Sequence, residues 1–327
     1  MSAPRRGFNR QLVAWLASAA LPGVAAPALT PPPQGLRIIV VYPPGGASDA
    51  MARLLAQKLA LGLGMPVHVD NRAGGGGSVG LQALVAARPD GLTLAFSALS
   101  PLTLRPHLQP VPYDVFRDVA PVAAVMMTPL LLAATPAFSG KSLADVLLQA
   151  QTRPGALRWA TSGYATAGHL LLEQVEAAAR IRVTHAPYKG GAQQLTDALS
   201  GQFELLSTNV AALQLQYVQT GQLKALAVAA PARLGVLPQV PTFAELGLPQ
   251  ATATSLFGLF APGRTPPAVL DQLHAAIHQV LLQPDIRSRL LETDNLPILE
   301  GRADFVRRVA QDWESNRQLK HAGMRLQ

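Results

Sequence analysis

Residues 37–49 read Arg-Ile-Ile-Val-Val-Tyr-Pro-Pro-Gly-Gly-Ala-Ser-Asp, and this stretch predicts a buried strand, a glycine turn and the start of a helix. The four consecutive β-branched residues Ile38–Val41 are typical of a strand covered on both faces. Prolines and glycines at 43–46 end the strand, and Ser48 or Asp49 is the predicted cap of a helix over Met51–Leu61. Such a turn directs free backbone N–H groups towards the carboxyl end of a sheet, where anions bind.

The first 28 residues have the three-part pattern of a secretory signal peptide. Three arginines within the first ten residues precede a short apolar run over Leu12–Leu21, and small residues at 25, 26 and 28 suit cleavage. The run is too short to span a membrane. Arg5-Arg6 also fits a twin-arginine signal, so the Sec route, the twin-arginine route and an uncleaved anchor all stay open. We expect a periplasmic protein.

Composition narrows the function classes. The chain has 327 residues, 49% of them hydrophobic, which suits two domains better than one. It has no cysteine, which excludes disulfides and thiolate chemistry. Loss of the signal peptide removes three arginines and no acid, so the net charge falls from +8 to +5. The remaining basic residues are scattered, and we expect no nucleic-acid partner.

Strands and helices alternate along the chain, which predicts two mostly parallel sheets flanked by helices. Apolar segments at 128–135 and 224–230 are the predicted crossings between two lobes. The first lobe is predicted to hold residues 35–127 and 228–327, and the second residues 128–227.

Five strand-to-helix junctions share a composition of glycine and small hydroxyl or amide residues. Glycine lets the backbone approach a ligand, and the helix start that follows presents unpaired N–H groups and a positive dipole end. Ordinary tight turns would also have this composition, but five such loops on two facing lobes favour a cleft for a carboxylate or another oxyanion. The junctions are Gly45–Ser48, Gly74–Ser78, Thr161–Thr166, Lys189–Ala192 and Ser207–Asn209.

Other site chemistries fit poorly. Residues 75–80 match G-x-G-x-x-G, but no strand ending in an acid follows at the spacing that a dinucleotide site needs. No G-x-S-x-G nucleophile motif and no P-loop occur. His274 and His278 are four residues apart, yet a solvated helix face explains them better than a metal. His169 either donates to a ligand or packs locally. We expect no enzyme activity, cofactor or metal.

Many segments in order resemble the substrate-binding proteins of tripartite tricarboxylate transporters, the Bug or TctC-like family. The resemblance covers roughly residues 36–325. The matching segments are 39–49, 70–80, 89–94, 161–163 with 169–170, 186–191, 221–228, 240–249 and 257–262.

The resemblance implies a two-lobed α/β periplasmic binding protein of the Venus-flytrap, type II-like class. It implies capture of a small organic anion and delivery to integral-membrane permease subunits. It also implies that the carboxylate lies against Gly45–Ser48 and Ser162–Thr166, largely through backbone N–H groups and water. We expect ligand contacts from Gly45, Gly46, Ser48, Asp49, Gly76, Gly77, Ser78, Ser162, Gly163, Tyr164, Thr166, His169, Lys189, Gly191 and Asn209.

Two positions depart from the family pattern. The family often has Phe-Asp-Asn where this chain has Ser207-Thr208-Asn209, so a carboxylate is replaced by a hydroxyl. That change argues against an α-amino acid as ligand. Tyr164 stands where a small polar residue is common and either narrows the cleft or stacks on an aromatic ligand. A monomer is expected, and a ligand sensor or an exported hydrolase are the alternative functions.

Overall fold

The computed structural model describes residues 35–321, in which two β-sheets are each flanked by helices. The predicted signal peptide lies outside the described residues. The strands are β1 (Leu36–Val40), β2 (Val67–Asn71), β3 (Thr93–Ala98), β4 (Val119–Thr128), β5 (Leu130–Ala134), β6 (Arg158–Thr161), β7 (Thr184–Pro187), β8 (Leu205–Asn209), β9 (Lys224–Ala229), β10 (Ser255–Pro262) and β11 (Leu296–Pro297). The helices are α1 (Ala47–Leu63), α2 (Ser78–Val85), α3 (Ser100–Thr103), α4 (Arg105–Leu108), α5 (Val115–Asp118), α6 (Leu143–Thr152), α7 (Ala167–Ala179), α8 (Gly191–Leu199), α9 (Ala212–Gln219), α10 (Pro267–Leu281), α11 (Pro284–Leu291) and α12 (Arg302–His321).

Strand β1 is buried on both faces, as its run of β-branched residues predicts. Ile38 and Val40 pack into the core that contains α1 and α10. Ile39 and Val41 pack on the opposite face, against residues of α2 and α12. All four side chains are fully buried, and each contributes roughly 1.5–3 kcal/mol from burial.

The first sheet has the order β11-β4-β10-β3-β1-β2. Strand β1 pairs in parallel with β2 and β3, with Ile38 opposite Val69 and Leu94. Strand β10 runs antiparallel between β3 and β4. The second sheet has the order β7-β6-β8-β5-β9, where β6 is parallel to β7 and β8 and β5 is antiparallel to β8 and β9.

Both sheets are therefore mixed, whereas the sequence predicts mostly parallel sheets. Strands β4, β5, β9 and β10, which flank the crossings between the lobes, all form antiparallel pairs. Strand β4 leads through Pro129 directly into β5, so one extended segment serves both sheets. The strands that later pair with this segment run antiparallel to it. The alternation of strands and helices in the sequence does not predict that change of direction.

The return to the first sheet lies later in the chain than predicted. The predicted boundary at residue 228 falls inside β9, and Val228 forms a bridge with Thr242. Phe243 and Leu248 pack into the core of the second lobe. The chain rejoins the first sheet only at Ser255, the first residue of β10.

One local prediction differs from the structure. Helix α1 begins at Ala47 with Gly46 as its N-cap, so neither Ser48 nor Asp49 caps it. Later in the chain, residues 243–247 form turns, and the short strand β11 pairs with β4. Between residues 35 and 321, no helix is both long enough and apolar enough to cross a membrane.

Candidate functional site

A cavity of about 220 Å³ lies between the two lobes, at the carboxyl ends of β1, β3, β6 and β8. Open α/β sheets bind ligands at this edge because the loops and helix starts that follow the strands meet there. The first lobe contributes Tyr42, Pro43, Gly45, Gly46, Ala47, Ser48, Ala50, Ala98, Ser100, Ser255 and Phe257 to the lining. The second lobe contributes the rest, namely Leu130, Ser162, Thr166, Ala167, Gly168, Gly191, Ala192, Leu195, Ser207, Thr208, Asn209, Ala211, Ala212, Leu213 and Gln214.

Four helices begin at the wall of this cavity. The first residues of α1, α7, α8 and α9 all belong to the lining, the first helix from one lobe and the other three from the second. A helix start carries unpaired N–H groups and about half a positive charge. Four such ends at one cavity make it suited to negative charge.

Three of these helix starts have no side-chain cap. Gly46, Gly190 and Ala211 are the N-cap residues of α1, α8 and α9, and none of them provides a side-chain hydrogen bond. Only α7 is capped, because Thr166 Oγ1 accepts from the backbone N–H of His169 at 3.4 Å. Glycine and alanine at these positions therefore leave first-turn N–H groups for a ligand or for water.

Asp49 positions the loop that opens α1. Its Oδ2 accepts from the backbone N–H of Gly45 at 3.0 Å and from Arg53 Nε at 3.1 Å. Its Oδ1 accepts from Asn71 Nδ2 at 2.9 Å. Burial raises the pKa of Asp49, but the hydrogen bonds from Arg53, Gly45 and Asn71 outweigh burial and hold the pKa below its usual value. Asp49 does not line the cavity, so it acts on the loop that does.

The floor of the second lobe is fixed by buried hydrogen bonds. Ser207 Oγ accepts from Trp159 Nε1 at 3.1 Å and donates to the carbonyl of Gly168 at 2.8 Å. Gln194 Nε2 donates to the carbonyls of Ala160 and Ser207, both at 3.0 Å. These bonds fix the start of α7 and the body of α8 against the ends of β6 and β8.

Neutral side chains supply the remaining polar groups. Asn209 Oδ1 accepts from Ser255 Oγ at 2.7 Å, which joins the two lobes and leaves the amide NH₂ of Asn209 as a donor. Gln214 Nε2 donates to Thr208 Oγ1 at 3.3 Å. Tyr42 stays protonated because burial raises its pKa to about 12.

All the residues that line the cavity belong to the described part of the chain, and none of them is Asp, Glu, Lys, Arg or His. The cavity can therefore attract an anion only through helix ends and neutral donors. Within residues 35–321, no three His, Asp or Glu side chains are grouped so that they could hold a metal ion.

The glycine loop at 74–78 joins the lobes instead of lining the cavity. Arg105, which is 7% exposed, donates from Nη1 to the carbonyl of Tyr164 in the other lobe at 3.1 Å. Gly76 lies against the same carbonyl and the same guanidinium, because a Cβ there would be 2.8 Å and 2.6 Å from them. A Cβ on Gly190 would be 2.5 Å from Pro43 Cδ of the first lobe. These contacts between the lobes add to the hydrogen bond between Asn209 and Ser255.

His169 packs locally and does not line the cavity. Its Nδ1 accepts from the backbone N–H of Ala165 at 3.1 Å, and its ring stacks on His185 at 4.0 Å between centroids. Burial lowers the pKa of His169 to about 4, so its ring is neutral. Nε2 lies 3.5 Å from Glu173 Oε1, and burial raises the pKa of that carboxyl to about 7.

The structure brings seven of the predicted residues together at the cavity, and the other eight lie outside its lining. Tyr164 packs on His169 at 5.0 Å between ring centroids, and Lys189 is exposed. Gly163 contacts the first lobe, where a Cβ on it would be 3.9 Å from Gly76 Cα. The seven are Gly45, Gly46, Ser48, Ser162, Thr166, Gly191 and Asn209. The eight are Asp49, Gly76, Gly77, Ser78, Gly163, Tyr164, His169 and Lys189.

Several lining residues were not predicted. Ser100 follows the end of β3, so the rule that ligands bind beyond strand ends would have found it. Ala212 and Gln214 are on α9, just after the junction at 207–209. Ser255 and Phe257 begin β10, and no loop composition marks that strand as part of the site.

Comparisons with known proteins identify the family. Residues 51–321 match the family described as tripartite tricarboxylate transporter family receptor. Protein BugT of Bordetella pertussis is 38% identical over 263 residues, which are 79% of this chain and 80% of BugT.

Solved structures have the same fold. The periplasmic binding protein BugD has a TM-score of 0.83 at 26% identity, over 89% of this chain and 98% of BugD. A protein of R. palustris solved with adipate has a TM-score of 0.83 at 28% identity, over 88% of this chain and 97% of its own. MatC from Rhodopseudomonas palustris with bound malate has a TM-score of 0.81 at 27% identity, over 87% and 98%.

The family match covers most of the chain, and these structural relatives are solute-binding proteins, not enzymes. The chain belongs to the tripartite tricarboxylate transporter receptor family and is a two-lobed periplasmic solute-binding receptor of the Bug type.

Proposed function

We propose that this receptor captures a small carboxylate in the cavity between its lobes and delivers it to the integral-membrane permease of a tripartite transporter. The observation that supports this best is the set of four helix starts at one cavity whose lining has no charged side chain. Helix ends favour a carboxylate without fixing its identity.

The proposed contacts come from both lobes. The starts of α1 and α8 supply backbone N–H groups near Gly46 and Gly191, and Asn209 and Ser48 supply neutral donors. Such contacts form together only when the lobes are closed, so the ligand stabilises the closed form by its differential affinity. Malate and adipate, seen in two structural relatives, are the chemistry to test first.

The transporter partner and the oligomeric state are part of this proposal. An exported monomer, released from its signal peptide by the Sec or twin-arginine route, would present the closed lobes to the permease. The alternative of an exported hydrolase is dropped, because the family consists of receptors. No residue that lines the cavity specifically supports the alternative function of a ligand sensor.

A thermal-shift screen of the exported form tests the proposal. The probes are malate, succinate, adipate, benzoate, glutamate and the neutral sugar glucose. A ligand that binds the native state stabilises it by mass action and so raises the melting temperature. At a ligand concentration of a hundred times Kd, the gain in stability is roughly 2.7 kcal/mol. At least one acid should raise it and glucose should not. A shift with glucose and with none of the acids would overturn the proposal.

A further inference from the structure

A second, smaller chamber opens beside the main cavity. Its volume is about 150 Å³. The charged and amide side chains of its wall come from α12, namely Arg308, Asp312 and Asn316. Hydroxyl and apolar side chains cover the rest, including Met127 from β4 and Leu170 from α7 of the other lobe. The chamber therefore lies between the lobes, as the main cavity does.

The two spaces adjoin through a neck of small residues. Ala98, Ser100, Ala167 and Ser255 line both the main cavity and the chamber. None of these side chains is larger than a hydroxymethyl group, so only small groups stand between the two spaces. The helix starts, which favour a carboxylate, are on the main-cavity side of the neck.

Asp312 offers one free carboxylate oxygen to the chamber. Thr103 Oγ1 and Asn316 Nδ2 both donate to its Oδ2, the second at 3.2 Å. Oδ1 accepts no hydrogen bond from residues 35–321. Burial raises the pKa of Asp312, and the hydrogen bonds from Thr103 and Asn316 oppose that effect. Oδ1 is open to solvent, so a ligand donor placed next to it would take the place of water.

The local charge disfavours a second anion in the chamber. Arg308 already contacts Glu300 through Nε at 3.0 Å and Nη2 at 2.6 Å. That pair neutralises the cation, so the uncompensated charge near the chamber is the carboxylate of Asp312. A hydroxyl or an ammonium group fits this environment, whereas a carboxylate would be repelled.

We propose that the receptor takes an elongated carboxylate whose far end carries a hydrogen-bond donor, with the carboxylate at the helix starts and the donor at Asp312 Oδ1. This inference rests on the proposed function and adds a class of substrate, the ω-hydroxy or ω-amino carboxylates. It is compatible with Thr208 in place of the family's aspartate, since that change affects a different wall of the main cavity.

Binding measurements with chains of matched length test the inference. Unsubstituted, ω-hydroxy, ω-amino and ω-carboxy acids of four to eight carbons are titrated into the exported form. At the best length, the ω-amino or ω-hydroxy acid should bind at least about tenfold more tightly than the unsubstituted acid. Whichever of these two acids binds more tightly shows whether the preferred donor is an ammonium or a hydroxyl group.

Asp312→Asn provides the sharper test. The amide oxygen can still accept from Thr103 and Asn316, while its NH₂ replaces Oδ1 and turns the chamber from an acceptor into a donor. The variant should lose the preference for ω-amino acids and gain affinity for the dicarboxylate of the same length. Asp304→Asn, on an exposed part of the same helix, should change neither affinity.

The outcomes separate the two proposals. If dicarboxylates or unsubstituted acids bind but no chain length gains from a terminal donor, the chamber is not a subsite and the proposed function stands. If no acid binds, both fail. Should Asp312→Asn not fold, the length series with the wild-type protein still decides, because it compares ligands and not variants.

Discussion

Gly46 and Gly191 differ from Gly77 in what a side chain at each position would meet. A Cβ on Gly46 or Gly191 meets nothing within 4 Å, and neither has a positive φ. A Cβ on Gly77 would be 2.7 Å from Pro101 Cγ, and its φ is +108°. The first two glycines therefore keep the cavity open, whereas Gly77 allows close packing within the first lobe.

Gly46→Val and Gly191→Val should each weaken carboxylate binding by at least about tenfold while costing no more than about 1 kcal/mol of stability. Gly77→Val should instead lower the unfolding free energy by more than either, because its side chain clashes and its φ is strained. Calorimetric titration and urea unfolding measure the two effects. Undiminished affinity in Gly46→Val would show that this turn does not touch the ligand.

Glu173 gives a pH dependence of known sign. Its pKa is raised by burial from 4.5 to about 7, so the folded state binds this proton more tightly than the unfolded chain. The stability that it contributes is present below about pH 4.5 and is lost as the pH rises through 7. The stability of Glu173→Gln relative to the wild type should therefore be about 1–3 kcal/mol higher at pH 8 than at pH 5, after allowance for solvent screening. Urea unfolding at both pH values measures this difference. The control is Glu292→Gln, at an exposed position. The same pH dependence in Glu173→Gln and the wild type would refute the prediction.

Among single residues, the pattern of a strand end followed by glycine and a helix predicted Gly45, Gly46 and Gly191, which line the cavity. The same pattern predicted Gly76 and Gly77, which pack between or within the lobes instead. His169 and Tyr164 were harder, because a ring in a loop can point to the cavity or away from it. Packing against His185 decides that direction, and the two histidines are 16 positions apart in sequence.

At the scale of elements, α1 shows how a carboxylate outside the cavity supports the site. Asp49 in its first turn holds the backbone of Gly45, and an acid at this position also suits the helix dipole. Asp49→Ala should reduce the unfolding free energy by about 1–3 kcal/mol and weaken binding, because Gly45 loses its acceptor. Arg53→Ala removes an exposed partner but leaves the bonds from Gly45 and Asn71, so its effects should be smaller. Equal losses in both variants, in a urea and titration comparison, would mean that the ion pair with Arg53 matters more than the loop.

Most helices and strands could be predicted from hydrophobic period and from turn residues. The direction of β5 and β10 could not, because pairing with a distant strand sets it. The point at which the chain returns to the first sheet could not be predicted either, because Phe243 and Leu248 pack on the second sheet without belonging to a strand or a helix.

At the scale of the whole molecule, contacts beside the cavity hold the lobes together. Arg105 is buried, and burial lowers its pKa, yet it reaches across to the carbonyl of Tyr164. Gly76 permits that approach with φ +59°. Gly76→Ala would place a Cβ between the lobes and favour the open form.

Gly76→Ala should therefore weaken ligand binding by about three- to tenfold without changing the cavity lining, and X-ray scattering should show a more open molecule at equal ligand saturation. Gly64→Ala is the matched control, because Gly64 has a similar φ of +63° but nothing within 4 Å of a Cβ. The same loss of affinity in both variants would point to backbone strain and not to closure.

A crystal structure of the exported form with the acid that binds best in the thermal-shift screen tests most directly whether helix starts from both lobes hold the ligand. We expect carboxylate oxygens within about 2.7–3.2 Å of backbone nitrogens in the first turns of α1 and of at least one of α7, α8 and α9. An acid held mainly by arginine or lysine side chains, or bound outside the space between the lobes, would contradict it.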